Sequence, residues 1–168
     1  RAQLNLAFMY LAGKGVPQDF VQAASWVSKA AQQGHTKAQY NLGFMYDTGQ
    51  GVHQDDKQAS NWYHRAAEQG HARAQFNLGV MYSNGKGVTQ NFPQAVGWYR
   101  KAAEQGDALA QFNLGFMYDR GLGVPQDDIQ AIDWYRKAAA QGNAAAQTNL
   151  GNMYFNGEGE LPDYQKAS

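Results

Sequence analysis

The sequence predicts an all-α fold, a right-handed alpha-alpha superhelix built from helix-turn-helix repeats, and three observations predict it. The pair Ala-Gln recurs at Ala2, Ala38, Ala74, Ala110 and Ala146, a period of 36 residues with no insertion or deletion. Each repeat carries two stretches with apolar residues at the spacing of one helical face: Ala38, Leu42 and Met45, then Ala59, Trp62, Tyr63 and Ala66. Capping residues and glycines punctuate these stretches at the same offsets every time. Neither helix can bury its stripe alone, so each repeat must stack on its neighbours, and that stacking defines a solenoid.

The first helix of a repeat, helix A, is expected over residues 36–48 in the second repeat. His35, His71, Asp107 and Asn143 stand at its start; Asp and Asn are good N-caps and His is a poor one. Gly43, Gly79, Gly115 and Gly151 lie inside helix A, where glycine costs about 0.8 to 1 kcal/mol relative to alanine. Close approach of another helix explains them. A G-x-G-V loop follows, as Gly13-Lys14-Gly15-Val16, Gly49-Gln50-Gly51-Val52, Gly85-Lys86-Gly87-Val88 and Gly121-Leu122-Gly123-Val124. Its glycines match no phosphate-binding pattern and join helix to helix, so they read as suppliers of positive φ, with the valine plugging the gap between helices.

Helix B is expected over residues 56–68, opened by Asp19, Asp55, Asn91 and Asp127 as N-caps. Trp26, Trp62, Trp98 and Trp134 are its large anchors, and the last three are expected to be largely buried between helices. Lys29, Arg65, Lys101 and Lys137 face the negative end of the helix dipole, and Gly34, Gly70, Gly106 and Gly142 close the helix in the left-handed conformation.

Composition narrows the function classes. Fourteen basic residues balance 14 acidic ones, so no net field draws the chain to nucleic acid or an anionic membrane. The absence of cysteine removes disulfides and thiolate metal sites. The longest apolar stretches, such as Leu78 to Tyr82, fall far short of the roughly 20 residues a membrane-spanning helix needs.

The run Leu42-Gly43-x-x-Tyr46, followed by Ala59-x3-Tyr63-x2-Ala66, resembles the tetratricopeptide pattern, with Gln39 where that motif has tryptophan. The extra length lies in the G-x-G-V loop. That loop, with N-L-G-x-M-Y before it and W-Y-x-K-A-A-x-Q-G after it, strongly resembles the Sel-one-like repeat family over essentially the whole chain. The resemblance implies an adaptor or scaffold that binds proteins and uses no cofactor. A cysteine-rich branch of that family clips its helices with disulfides, and the enzymatic activity proposed there gains no support from a chain without cysteine. Residues 1–168 read as a single solenoid of about five repeats. Its first repeat presents Leu4, Leu6 and Met9 with no preceding helix and its fifth stops at Ser168, which predicts a fragment of a longer array.

Catalytic and metal chemistry find no foothold. His35, His53, His64 and His71 form neither H-E-x-x-H nor an i, i+4 pair, so no metal site is expected. Asp55-Asp56 and Asp127-Asp128 pair carboxylates, but one of each pair is a cap and none has a nucleophile partner, so no enzyme is expected.

Helix A carries the candidate binding residues. With Ala38 as origin, Leu42 and Met45 fall at about 40° and about 340°, whereas Tyr40 and Phe44 fall at about 200° and about 240°. Stacking gathers Tyr40, Phe76 and Phe112 into one column and Phe8, Phe44, Val80 and Phe116 into another. By the tetratricopeptide resemblance this stripe lines a concave groove; alternatively the rings pack between neighbouring A helices. Asn41, Asn77 and Asn113, with Asn5 and Asn149, form a third column between core and groove. Such an amide suits the backbone of an extended peptide, although the plainer reading has each Asn satisfying backbone of the adjacent repeat. Lys37 and Arg73 flank the groove and suit acidic groups on a partner. The leading expectation is a peptide or protein partner on helix A. RNA reading by a helical repeat code is the alternative, disfavoured by zero net charge, and hydrolase activity ranks last.

Overall fold

The computed structural model describes residues 2–157; the remainder of the fifth repeat, to Ser168, lies outside the described residues. Among them are nine helices and no strand: α1 (Ala2–Ala12), α2 (Phe20–Gln32), α3 (Thr36–Thr48), α4 (Asp56–Glu68), α5 (Ala72–Asn84), α6 (Phe92–Glu104), α7 (Ala108–Arg120), α8 (Asp128–Ala140) and α9 (Ala144–Phe155). Odd-numbered helices are the A helices and even-numbered ones the B helices. Each packs chiefly on the helices before and after it in sequence, the architecture of a solenoid.

The caps set the boundaries. Asp19, Asp55, Asn91 and Asp127 each accept an amide hydrogen bond from the first turn of helix B. At helix A, Asp107 and Asn143 cap in the same way, His71 Nδ1 accepts from the Ala74 amide at 3.3 Å, and His35 makes no side-chain cap bond. The expected poverty of histidine as a cap therefore holds at His35 and is overridden at His71.

The core sits between repeats. Four apolar clusters each join helix B of one repeat to helix A of the next, as where Ala59, Tyr63 and Ala66 of α4 meet Ala74, Leu78 and Met81 of α5. Tyr46, Tyr82 and Tyr118 each pack against two clusters and link them. Val52, Val88 and Val124 pack against these clusters from the loops, as the sequence predicts.

The tryptophans share their anchoring role with the residue that follows them. Trp62, Trp98 and Trp134 are half-buried rather than enclosed, and the next residue, Tyr63, Tyr99 or Tyr135, fills the core with 0–3% exposure. The reason lies in helix A. A Cβ placed on Gly43, Gly79 or Gly115 would stand 2.6–2.8 Å from Cδ1 of those tyrosines, so each glycine makes room for the ring of its own repeat's helix B. The tryptophans flank that contact, each with a cation over its ring: Lys29, Arg65, Lys101 and Lys137 lie 3.9–4.6 Å from the ring centroids of Trp26, Trp62, Trp98 and Trp134. The charge shields the exposed edge of the ring while its quadrupole attracts the cation.

The loop glycines stitch repeats together. Gly87 has φ +68, and a Cβ there would lie 2.1 Å from the Asp56 carbonyl oxygen, so both the left-handed backbone and the contact with α4 require glycine. Lys86 beside it pairs with Asp47 at 2.5 Å and Asp56 at 3.3 Å, both in the preceding repeat. A second stitch uses the Gln that replaces the tetratricopeptide tryptophan. Buried Gln75 donates to the Ala67 carbonyl at 3.0 Å and accepts from Gln105 at 2.7 Å, and Gln39 and Gln111 repeat the bridge. A buried amide demands such partners, so the ladder fixes both helices of one repeat to the preceding one.

Candidate functional site

The helix A stripe divides into two columns with different environments. Tyr40, Phe76 and Phe112 are half-buried, their ring centroids 5.8–6.1 Å from those of Tyr63, Tyr99 and Tyr135. They lean on the core and present an edge outward. Tyr40 also stacks on His71 of the next repeat at 4.5 Å. In the second column Phe8, Phe44 and Phe116 are 52%, 43% and 36% exposed, while the smaller Val80 is half-buried and packs against the core.

The asparagines also divide. Asn149 Nδ2 donates to the Tyr135 hydroxyl at 3.1 Å, and Asn77 hydrogen-bonds to Tyr63 in the same way. Each thus satisfies a side-chain hydroxyl of the preceding repeat, not its backbone as the plainer reading expected. Those hydroxyls in turn donate to Asp47 and Asp119 at 3.3 and 3.2 Å. Burial, reinforced by the nearby carboxylate, pushes both tyrosines far above the usual phenol range, so they remain neutral donors. By contrast, the amides of Asn41 and Asn113 have no hydrogen-bond partner among the described residues.

Clefts open along this face in register with the repeats. One of about 420 Å³ is lined by Asn5, Phe8 and Leu11, one of about 210 Å³ by Val80, Asn113 and Phe116, and one of about 300 Å³ by Asp119, Asn149 and Asn152. The structure therefore brings Val80, Asn113 and Phe116 to one cleft. Tyr99, Ser83 and Leu122 also line it. Sequence reasoning missed Tyr99 and Leu122 because helix B and loop residues reach the helix A face only through tertiary packing, and Ser83, on α5 itself, because it belongs to neither column. Of the flanking cations, Lys37 is exposed, and Arg73 lies 3.4 Å from Asp107.

The remaining polar groups are engaged in holding the fold. His64 pairs with Glu68 and meets Trp98 edge-on, His53 bonds the Gln54 carbonyl, and Asp128 accepts from Gln126. Among the described residues no group of three His, Cys, Asp or Glu is placed to hold a metal ion. None of the described helices is long and apolar enough to cross a membrane.

A stack of two-helix repeats with an in-register line of rings, amides and clefts defines a helical repeat scaffold. The Sel1 repeat model matches residues 1–35, 36–71, 72–107, 108–143 and 144–167, and the chain belongs to that family. Sel1 repeats are generally protein-interaction modules, and their scaffolds are typically non-catalytic. Among solved structures, the chain is similar to c5321, a protective antigen of uropathogenic Escherichia coli with an SLR fold. That match has 45% identity and a TM-score of 0.91, over 97% of this chain and 35% of that one. A Sel1 repeat protein from Oxalobacter formigenes is 38% identical with a TM-score of 0.90, over 99% of this chain and 68% of that one. Helicobacter pylori cysteine rich protein B is 28% identical with a TM-score of 0.58, over 74% of this chain and 94% of that one. This chain thus spans about a third of the length of the E. coli antigen. No curated protein matches it.

Proposed function

We propose that the chain is an adaptor that holds an extended segment of a protein partner along the face formed by its A helices. The observation that carries this reading is the set of clefts in register with the repeats, two of them lined by the exposed rings of Phe8 and Phe116, with Phe44 exposed at the equivalent position between them. Rings exposed on a rigid helix supply contact area at little entropic cost, and aromatic side chains carry much of the energy of protein interfaces. Amides without an internal partner, at Asn41 and Asn113, offer both donor and acceptor to a peptide backbone. Tyr40, Phe76 and Phe112 buttress the floor, and Asn77 is engaged with Tyr63.

The test uses peptides selected from a random display library against the whole chain. Phe44→Ala and Phe116→Ala should each weaken their binding about tenfold or more, as truncation of an aromatic anchor does, while moving the thermal midpoint little. Unchanged affinity in both variants refutes the proposal.

A further inference from the structure

The cleft at Val80, Asn113 and Phe116 differs in charge from its counterparts at three positions, Ser83, Asn84 and Leu122, where they carry Asp119, Arg120 and Lys14. Asp47 in the second repeat and Asp119 in the fourth accept the hydroxyl proton of the core tyrosine, and that hydroxyl accepts from the next repeat's asparagine. The third repeat has Ser83 at this position. The Ser83 side chain hydrogen-bonds to Tyr99, whose hydroxyl burial pushes up to about 12. Asn113, unlike Asn77 and Asn149, has no hydrogen-bond partner among the described residues. Ser83, Asn84 and Leu122 together leave the lining without charge. Its lining, which includes Tyr99, Phe116 and Met117 beside Ser83, Asn84 and Leu122, is uncharged, whereas the next cleft along contains Asp119 and Arg120 and the one in the first repeat contains Lys14.

We propose that this cleft is a specificity pocket for one amide side chain, glutamine or asparagine, of the segment bound on the helix A face. The inference rests on that face being the binding groove. The volume of about 210 Å³ admits a single side chain, given that a cavity of roughly 150 Å³ takes a benzene ring. Val80, Phe116 and Leu122 suit a methylene stem. Three classes of head group compete for the inner end. A charged head would be desolvated among uncharged lining side chains, at heavy cost. An aliphatic head would cover the Asn113 amide and leave it unpaired, which costs about 1 to 3 kcal/mol in a buried setting. An amide head can match both the donor and the acceptor of Asn113, and amide-to-amide pairing already occurs in the fold, where Gln69 Nε2 donates to Gln39 Oε1 at 2.6 Å.

The experiment selects peptides from a random display library on the chain and measures the affinity of each by fluorescence anisotropy. Selected peptides should share Gln or Asn at one position, and replacing it with Leu or Lys should weaken binding about tenfold. Ser83→Asp restores the residue that the second and fourth repeats carry, so the fold tolerates it, and a melt checks this. It should weaken the same peptides about tenfold, and reselection on it should give Lys or Arg at that position. Asn113→Ala should weaken the peptides without favouring a basic residue. Phe44→Ala and Asn152→Lys, one repeat to either side, probe the groove itself. Peptides that respond to either flank but to neither pocket variant overturn the pocket and leave the groove standing; peptides that respond to none of the four overturn both, as does a library that yields no binder.

Discussion

Two glycine-to-alanine substitutions inside helices separate packing from propensity, because the local gain is the same and the surroundings differ. On propensity alone, Gly79→Ala in α5 and Gly97→Ala in α6 each stabilise a helix interior by about 0.8 to 1 kcal/mol. A Cβ at Gly97 meets nothing within 4 Å, so that gain is realised in full. A Cβ at Gly79 stands 2.6 Å from Tyr99 Cδ1 and 2.7 Å from Cε1, against an optimal carbon separation of about 3.5 to 4.0 Å. The ring must therefore move about an ångström, and Tyr99 is only 3% exposed, enclosed by Ala95, Ala102 and Leu114 of its cluster. Overpacking of this kind costs about 1 to 3 kcal/mol, which exceeds the propensity gain and leaves a net loss of up to about 2 kcal/mol. For a chain of this size about 1 kcal/mol moves the thermal midpoint roughly 2 to 4 °C. Circular-dichroism melts should show Gly97→Ala above the parent and Gly79→Ala below it. If both variants melt higher, the glycine–tyrosine contact is not what places Tyr99 in the core.

Three further outcomes follow from the packing. Tyr99→Ala should cost about 3 to 5 kcal/mol, the range for a buried aromatic, and Trp98→Ala distinctly less because that ring is half-exposed; the reverse order in denaturant melts would return the anchor to tryptophan. Gln75→Ala removes the bridge between the Ala67 carbonyl and Gln105 and should cost about 1 to 3 kcal/mol, read as a shifted denaturation midpoint; no shift would discount the ladder. Burial first, then the charge of Lys37, holds His71 below the ordinary histidine range, and its protonation removes the lone pair that caps Ala74. A depressed histidine binds fewer protons folded than unfolded, so stability is fully present above about pH 6.5 and falls as pH drops below it. His71→Asn places there the residue that caps Ala146 from Asn143 and should flatten that fall in melts across pH; an unchanged slope would assign it to other groups.

The period, the caps and the glycines made the fold legible. Helix bounds of 36–48 and 56–68 follow from residues acting on their own turn, such as Asp55 on the Gln58 amide. Choosing between Trp62 and Tyr63 needed more than periodicity. Both lie beside the Ala59–Ala66 face, and the deciding fact is the missing side chain at Gly43 on the facing helix. Read together, the interior glycine and the aromatic twenty residues later (Gly43 to Tyr63, Gly79 to Tyr99, Gly115 to Tyr135) were the available signal. The glutamine bridge joins positions 30 residues apart, a pairing that no local pattern encodes. At the candidate site the columns were legible as columns. What each member does was not: Asn77 and Asn113 share a position, yet Asn77 bonds Tyr63 in the stack that carries Asp47, and Asn113 has no partner among the described residues beside Tyr99 and Ser83.

The central proposal is that a partner segment lies along the A helices, and the most direct measurement is an NMR titration of the isotopically labelled chain with a display-selected peptide. Amide shift changes should follow the helix A face, at Tyr40, Asn41, Phe44, Val80, Asn113 and Phe116, with little change at Trp62, Arg65 and Glu68, which line a separate cleft on helix B. Changes centred on Trp62 and Arg65, with the helix A positions still, would contradict the account.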